Sequence, residues 1–529
     1  MTLTTDRDQA HDPSQKHSSL SNSLIGGFLW QYAAVGSQGI AQLLVLTVLS
    51  RLLKPEDFGV LGSAMIFVGF AALFSQLGVA PALVQRQQLT ERHLRVGLTL
   101  SFAFGFVMVA VLWAVAPWIA HFFRDARIAP VLRYVSLTFL FSGIGVVSEA
   151  LLQRRLQFRK LMWINLGSYV LGYGVIGIGL ALNRFGVWAL VGASVSQSVL
   201  KSLFLIGNQP IPWLPLVARA EARDLLRFGA GFTLARALNY GATQGDNLVV
   251  GRLLGADSLG TYSRAYQLML IPATYFGYAL ERVLFPLMAR VQEERAILTR
   301  LYLSGTTAIG LATAPIAVVM AVCAPEIIHV VLGSQWTNAV APFQVLAVGI
   351  LFRTSYKLGD SLAKARGAVY QRSAREAAYI VFVLTGSVIG SRWGLKGVAF
   401  GVLLAVFMNY LSAARLGLRL LGLGWRTYIA SQAGAAVIAM VAFVLAALSR
   451  ALWLRLHLPP VANLGLTAAL TFAGAGIVTL GRPQFLGMHA ERVVYSMLSW
   501  LERKGVPMPQ GIRVKQAEST TIVAAGNRR

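Results

Sequence analysis

The sequence predicts an all-α integral membrane protein with two six-helix lobes and two extra C-terminal helices, and three observations lead to this fold. The chain of 529 residues is 56% hydrophobic and 13% charged, with a mean hydropathy of +0.61. Long apolar segments recur along most of it, and one motif between such segments occurs twice. A soluble chain of this length cannot bury so much apolar surface, so the bilayer must be its solvent.

The repeated motif links two apolar segments in each half of the chain. Leu49–Gly59 aligns without a gap on Val250–Gly260, an offset of 201 residues. Parallel repeats of this size are typical of transporters, although two Leu-rich turns can also match by chance. Gly59 and Gly260 occupy the same place in both copies, where a loop re-enters a helix. We interpret them as turn residues and as candidate gating turns.

The apolar segments predict fourteen membrane spans. A spanning helix needs about 20 mostly apolar residues, and runs this long exclude the shorter strands of a barrel. The candidates are residues 24–50, 58–84, 95–120, 130–152, 161–182, 185–206, 225–250, 258–281, 300–324, 338–362, 373–391, 394–414, 427–449 and 459–481.

The loop charges predict the orientation. With the N-terminus in the cytoplasm, the six inner loops carry 21 Lys and Arg residues and the seven outer loops carry 11. Positive residues favour the cytoplasmic side, so both termini are expected there. The net charge of +26 therefore reflects topology and attraction to anionic lipid rather than nucleic-acid binding.

The spans divide the chain into six parts. Pro210, Pro212 and Pro215 interrupt helix formation between the lobes. Residues 485–504 form an amphipathic stretch expected on the inner membrane surface, and the end of the chain reads as disordered. The predicted parts are a cytoplasmic tail at 1–23, an N-lobe at 24–206, a linker at 207–224, a C-lobe at 225–415, spans thirteen and fourteen at 427–481 and a cytoplasmic tail at 482–529.

Several activities are unsupported by the sequence. Cys323 is the only cysteine and the seven histidines are scattered, so neither disulfides nor a metal site is expected. The run Gly172–Gly177 matches a dinucleotide-binding pattern, but it lies in an apolar helix and indicates close helix packing instead. No Walker motif is present, and the short predicted outer loops leave no room for a catalytic site. We expect neither an enzyme nor a resident cofactor.

Polar residues at bilayer depth are the candidate functional residues, because such groups are costly there. In span seven Arg236, Asn239, Thr243 and Asp246 share one helix face. The 201-residue offset places Gln38 on Asn239 and Gln42 on Thr243. Guanidinium groups suit phosphate oxygens, so the cargo is expected to be anionic. The proposed substrate-binding residues are Arg236, Asn239, Thr243, Arg264, Arg353, Lys357, Gln38 and Gln42.

Two carboxylates are candidates for coupling transport to H⁺ or Na⁺. Asp360 shares a face with Arg353 and Lys357, and Asp246 lies near the outer end of span seven. Each can instead form a fixed bridge. The expected partners are then Lys357 or Lys364 for Asp360, and Arg264 for Asp246.

Two segments resemble the polysaccharide flippases similar to the colanic acid exporter. They are Gly245–Leu268 and Leu49–Arg86, the latter including the run from Ser75 to Arg86. These flippases belong to the multidrug/oligosaccharidyl-lipid/polysaccharide exporter superfamily. The resemblance implies a MATE-like fold, with the two lobes in a V around a central cavity, and transport by alternating access. It also implies a cationic cavity, matched here by Arg236, Arg264 and Lys357.

The resemblance implies a cargo as well. This is an undecaprenyl-diphosphate-linked oligosaccharide repeat unit, carried across the bacterial inner membrane for exopolysaccharide, capsule or lipopolysaccharide O-antigen assembly. A polysaccharide polymerase and a chain-length regulator are candidate partners. The alternatives are a lipid II flippase or a drug/cation antiporter of the same fold, and, in another class, an integral-membrane polymerase or sugar transferase. An antiporter for cations is expected to carry more acid than base in its cavity, and here the bases predominate.

Overall fold

The computed structural model describes residues 36–75, 79–86, 88–211, 214, 216–481, 486, 490–491, 493–495 and 498–499. Within these ranges, the side chains of residues 75, 220, 223–238, 275–283 and 369 are outside the description. The chain divides into two compact units, Met1–Ala237 and Leu238–Arg529. Every regular element in the described residues is helical, as the composition predicts.

The first unit begins with helix α1 at residues 36–52, and its further helices are listed in chain order. They are α2 (Pro55–Ser75), α3 (Val79–Gln85), α4 (Glu91–Phe123), α5 (Ile128–Ser136), α6 (Thr138–Arg154), α7 (Phe158–Tyr169), a π-helix (Val170–Gly177), α8 (Ile178–Leu182) and α9 (Val187–Asn208). Helix α10 (Arg219–Arg290) runs from the first unit into the second.

After α10 and up to residue 481, the described part of the second unit contains seven α-helices and two short 3₁₀ turns. They are α11 (Arg295–Val322), α12 (Ala324–Val331), a turn (Ser334–Ala339), α13 (Val340–Ala365), α14 (Val369–Gly390), a turn (Ser391–Trp393), α15 (Gly394–Leu421), α16 (Trp425–Arg455) and α17 (Pro460–Gly481).

Ten stretches of the described residues are long and apolar enough to cross a membrane. One of them, Tyr370–Leu421, contains both α14 and α15, which match the predicted spans eleven and twelve. Helix α10 covers the predicted spans seven and eight, and it breaks at Gly255, where φ is +86°. The multi-span membrane character is therefore confirmed, whereas the total of fourteen spans stays a prediction.

The two repeated turns break their helices by different means. In the first, Lys54 precedes Pro55, which disfavours helical backbone, and the Asp57 carboxylate accepts a hydrogen bond of 3.0 Å from the Lys54 amide. In the second, Gly255 adopts a positive φ that glycine allows without strain. Gly59 and Gly260 are buried inside the helices that follow these turns.

An arginine clamp recurs in the two units. Arg154 ends α6 and donates hydrogen bonds to the carbonyl oxygens of Leu83 (3.2 Å) and Val84 (3.4 Å). Arg366 follows α13 and donates to the carbonyl oxygen of Gln292, at 2.7 Å. The carbonyls of Leu83 and Val84 are in the last turn of α3 and lack partners within that helix, whereas Gln292 lies in the turn after α10.

The described part of the predicted linker packs on the first unit. Arg95 Nε donates to the Leu214 carbonyl at 2.8 Å, and Thr99 Oγ1 accepts from the Leu216 amide at 3.0 Å. Ile211 joins a buried cluster with Val79 and Leu83. The linker is therefore fastened to α4 rather than free of the lobe.

The last two predicted spans, α16 and α17, belong to the second unit. Glu326 of α12 accepts hydrogen bonds from Arg450 Nε (2.8 Å) and Asn463 Nδ2 (3.2 Å), which ties both helices to α12. The described residues of the predicted amphipathic stretch include Leu486 and Ala490, which pack on α16 and α17. Val494 and Leu498, which lie on the predicted apolar face of the stretch, are buried as well.

The predicted orientation has a direct test. We expect a reporter that is active only in the periplasm to be active when fused within residues 325–337. Fused after Gly207 or after Arg482, it should be silent, because positive loops stay in the cytoplasm. Membrane insertion of each fusion protein at the level of the unfused protein serves as the folding control. Activity in the opposite pattern at any of the three sites rejects the fourteen-span map.

Candidate functional site

The candidate site lies in the second unit, where α10, α13 and α14 carry charged side chains inside predicted membrane spans and α15 adds an amide. Helix α10 supplies Asp246, whose side chain is 1% exposed. Its Oδ2 accepts a hydrogen bond of 2.9 Å from the Tyr262 hydroxyl, and its Oδ1 accepts one of 2.9 Å from the Asn247 amide. The carboxylate is thus held by neutral donors, and Arg264, its expected partner, bonds to Gln267 instead at 2.6 Å.

Arg353 is the cation that interacts electrostatically with Asp246. It lies in α13, about 20 Å along the helix from Val340. Its guanidinium carbon is 4.9 Å from the centre of the Tyr266 ring, a cation–π contact. It also interacts electrostatically with Asp246 and Tyr379. No hydrogen-bonded ion pair joins Arg353 to Asp246 in the described residues, so this guanidinium is held by contacts that it can exchange.

A second carboxylate, Asp360, is bound more firmly. It pairs with Arg375 of α14, and its Oδ2 lies 3.5 Å from Arg372 Nε. Arg375 is buried, and its Nη1 donates to Asn409 Oδ1 of α15 at 3.0 Å. Its guanidinium also lies 5.6 Å from the Tyr356 ring centre. The expected bridge from Asp360 to Lys357 or Lys364 is therefore wrong, because the partners come from the next helix rather than from α13 or the loop after it.

The other predicted residues are placed as follows. Thr243 turns its hydroxyl back to its own helix, donating to the Asn239 carbonyl at 3.2 Å and to that of Tyr240 at 3.0 Å. Asn239 is exposed, and Lys357 is half-buried in α13. Gln38 and Gln42 are half-buried in α1, which belongs to the first unit. The backbone of Arg236 is in α10, but its side chain lies outside the described residues.

Sequence reasoning missed the aromatic and amide members of this site. Tyr262 and Tyr266 lie one turn apart on α10, and Tyr356 and Tyr379 lie on α13 and α14. Tyrosines inside apolar spans were the available signal, because a buried hydroxyl needs a partner. Arg375 was counted only as an inner-loop charge, although it lies in the second turn of α14.

The arrangement suits binding an anion rather than catalysing a reaction. A guanidinium at bilayer depth costs free energy unless it is paired, and its planar fork matches phosphate oxygens. Arg353 interacts with the buried Asp246 and with the Tyr266 ring, which makes it the candidate cation for an anionic ligand. Asp360 has two arginines of its own and stabilises the contact between α13 and α14.

Two structural comparisons identify the fold. The solved structure of the lipid II flippase MurJ in its inward closed conformation superposes with a TM-score of 0.68. It is 13% identical and covers 85% of this chain and 98% of its own. An inward-facing multidrug resistance MATE family transporter of the MOP superfamily gives a TM-score of 0.58 at 17% identity, over 72% of this chain and 93% of its own. The MATE-like fold is therefore confirmed.

Sequence comparisons identify the family. The lipopolysaccharide biosynthesis protein WzxC of Escherichia coli (strain K12) is 27% identical over 421 residues, 78% of this chain and 85% of that protein. The succinoglycan biosynthesis transport protein ExoT of Rhizobium meliloti is 28% identical over 314 residues, 59% of this chain and 63% of that protein. The profile of a family described as polysaccharide biosynthesis protein matches residues 48–341. Because this match covers more than half of the chain, the protein belongs to the family of polysaccharide biosynthesis proteins.

Proposed function

We propose that the protein is a flippase that moves an undecaprenyl-diphosphate-linked oligosaccharide across the bacterial inner membrane for exopolysaccharide, capsule or O-antigen assembly. The observation that carries this proposal is Arg353, a guanidinium held inside a membrane helix by exchangeable contacts. A diphosphate head group is the anion that such a group would recognise. The names of the relatives, polysaccharide biosynthesis and transport, support the same cargo class.

The transport step is an exchange of partners at Arg353. In the empty carrier, Asp246 is the counter-charge of Arg353. The diphosphate of the cargo then takes the guanidinium, and Asp246 is left to bind a proton or a sodium ion. When the cargo leaves on the outer side, Asp246 releases its proton or sodium ion there, and the original pair forms again. No covalent bond is made or broken, so the protein acts as a carrier and not as an enzyme.

The electrical field favours export of such a cargo. A diphosphate diester carries about two negative charges at pH 7. Moving these two charges alone outward across a membrane that is negative inside releases about 2.3 kcal/mol per charge per 100 mV, or about 4–5 kcal/mol, and one accompanying H⁺ or Na⁺ reduces this to about 2.3 kcal/mol. Alternating access between inward-open and outward-open forms can use this gradient without ATP. In this proposal both termini lie in the cytoplasm. A polysaccharide polymerase and a chain-length regulator are candidate partners.

Other residues complete the proposed path. We keep Arg236, Arg264 and Lys357 as further cations for the head group, and Gln38, Gln42, Asn239 and Thr243 as polar contacts. Gly59 and Gly260 remain proposed gating turns, because each lies just after a break between two helices. Asp246 is the stronger candidate for ion coupling, since Asp360 already has two arginine partners.

The Asp246→Asn variant should separate cargo binding from ion binding. In the wild type, cargo that takes Arg353 from Asp246 leaves a carboxylate that gains a proton or Na⁺, so the Kd for undecaprenyl diphosphate should depend on pH or on sodium. In Asp246→Asn this dependence should be lost while binding persists. Titration of the purified protein at two pH values, with and without sodium, measures both effects. An unchanged dependence removes Asp246 from the coupling role.

The function itself is tested by depletion. When the protein is depleted in its host, the lipid-linked repeat unit should accumulate in the inner leaflet, where a periplasmic sugar-modifying reagent cannot reach it. Restoring the protein should allow the reagent to modify the repeat unit again. Accumulation of lipid II instead would point to the lipid II flippase alternative. A purified sample that transferred or polymerised sugar would support the enzyme alternative and reject the proposal.

A further inference from the structure

The first unit contains a neutral track of polar and aromatic side chains that the charged site does not use. Helix α9 carries Ser194, Gln197, Ser198 and Lys201 at spacings of three and four residues, which places them on one face. All four are half-buried. Gln197 lies about 15 Å along the helix from Val187, near the middle of a bilayer core of about 30 Å.

Two tyrosines form an aromatic platform beside this face. Tyr169 and Tyr173 stack with ring centres 5.1 Å apart and an interplanar angle of 19°. The Tyr173 hydroxyl donates to Ser194 Oγ at 3.1 Å, which fixes the ring against α9. Asn165 precedes Tyr169 by one turn on α7 and is also half-buried.

The backbone brings the platform and the polar face together through a π-helix. Val170–Gly177 is wound as a π-helix in the middle of a membrane span, a conformation that is rare and often found at functional sites. A side chain at Gly172 would lie 2.7 Å from the Cα of Gln197, and one at Gly177 would lie 2.8 Å from Ala193 Cβ. Only glycine allows α9 to approach this closely, so the close packing predicted for the glycine run is confirmed.

The track has no net charge. Lys201 Nζ pairs with Glu149 Oε2 of α6 at 3.1 Å, which neutralises its inner end. Ser198 shares a hydrogen bond of 3.0 Å with Ser142, whose side chain is exposed. A free phosphate therefore finds no unpaired cation along it, in contrast to the guanidinium of Arg353 in the second unit.

Two amides on the track are unsatisfied. Among the described residues, the side chains of Gln197 and Asn165 have no hydrogen-bond partner. An amide at bilayer depth that bonds to neither protein nor water costs free energy, so these groups must face water or a ligand. Helix packing accounts for the serine contacts but not for two amides left open beside a stacked pair of tyrosines.

We propose that this track binds the sugar rings of the cargo. The chemical class is a neutral pyranose, which has an apolar face for the Tyr169–Tyr173 platform and hydroxyls for Gln197, Asn165 and Ser142. The inference rests on the proposed function and assigns the glycan of the cargo to the first unit. Binding of the oligosaccharide then depends on residues that leave the charged site intact.

The test uses two probes and the full-length protein in nanodiscs. One probe is undecaprenyl diphosphate, and the other is the same lipid bearing the repeat unit, extracted from a producing strain that lacks the polymerase. We expect Tyr169→Leu with Tyr173→Leu to weaken binding of the glycosylated probe about tenfold, the loss of one aromatic contact, and to leave the bare lipid unchanged. The Tyr169→Phe, Tyr173→Phe protein should keep most of the affinity, since the ring faces remain.

Matched variants separate the sugar contact from general damage. Tyr134→Leu removes an exposed aromatic of the same unit outside the track and should change neither Kd. If the double leucine protein does not fold, Gln197→Leu takes its place, because this change keeps the helix apolar. It should weaken binding of the glycosylated probe only. Equal loss for both probes, or no loss for either, overturns the inference. If the wild type binds both probes equally, the sugar-binding inference is overturned and the proposed function is not. If it binds neither probe, the proposed function is rejected as well.

Discussion

Replacing Arg353 with glutamine should reduce export by about 100-fold or more while the protein still reaches the membrane. Two charge-assisted hydrogen bonds to a phosphate contribute about 1.5–3 kcal/mol each, and glutamine cannot supply them. Arg353→Lys should recover only part of the activity, because an ammonium lacks the planar fork. Arg236→Ala should resemble the glutamine variant if both arginines meet the same diphosphate. Export is measured as surface polysaccharide per cell, normalised to membrane-inserted protein.

A fold defect must be distinguished from a binding defect. Arg353→Gln leaves Asp246 buried without its compensating charge, which itself destabilises the unit. In the double variant Arg353→Gln, Asp246→Asn neither charge is left alone, so protein level should return while export stays lost. Arg392→Gln, an exposed arginine of the same unit, is the matched control and should export normally. Export by the double variant at the wild-type rate would remove Arg353 from the site.

The Asp360→Asn variant should lose about 3–5 kcal/mol of folding free energy, the usual cost of breaking a buried ion pair by removing one partner. Arg375 is buried, and without Asp360 its remaining side-chain hydrogen bond in the described residues is the one to the Asn409 amide oxygen. The expected result is a much lower yield of monodisperse protein and earlier thermal unfolding in detergent. The double variant Asp360→Leu, Arg375→Met should recover much of this loss, since it buries no charge.

Glu376→Gln is the control for that series. Glu376 pairs with Arg372 at 2.7 Å one turn apart on α14, and both side chains are partly exposed, so its loss should cost less than about 1 kcal/mol. A double variant no more stable than Asp360→Asn would mean that packing rather than charge holds α13 to α14. An Asp360→Asn protein as stable as the wild type would show that the bridge contributes nothing.

Much of the fold follows from the sequence because the bilayer imposes one rule. Each span must satisfy its own backbone, so long apolar runs become helices, and α4, α9, α11 and α15 fall where hydropathy places them. The repeat is also legible, because the break before Pro55 and the break at Gly255 lie at equivalent positions of the two copies. The π-helix was not predictable, since its residues are as apolar as those of an ordinary span.

Only part of the site could be predicted from the sequence. The shared face of Asn239, Thr243 and Asp246 follows from helical spacing, and this spacing singled out Asp246, which is buried in the structure. Partners could not be inferred this way, because Asp360 pairs with residues that follow it by 12 and 15 positions on a different helix. Counting Arg372 and Arg375 as loop charges gives the topology of the chain but not the direction of their side chains.

Transport in reconstituted vesicles tests the proposed function most directly. The wild type is placed in proteoliposomes with the lipid-linked repeat unit in one leaflet, and its arrival in the other is measured with a sugar-modifying reagent. We expect translocation above the protein-free rate, faster when the potential drives anions in the same direction, and absent with Arg353→Gln. Movement equal to that of protein-free vesicles, or a rate indifferent to the imposed potential, would contradict an electrically driven flippase.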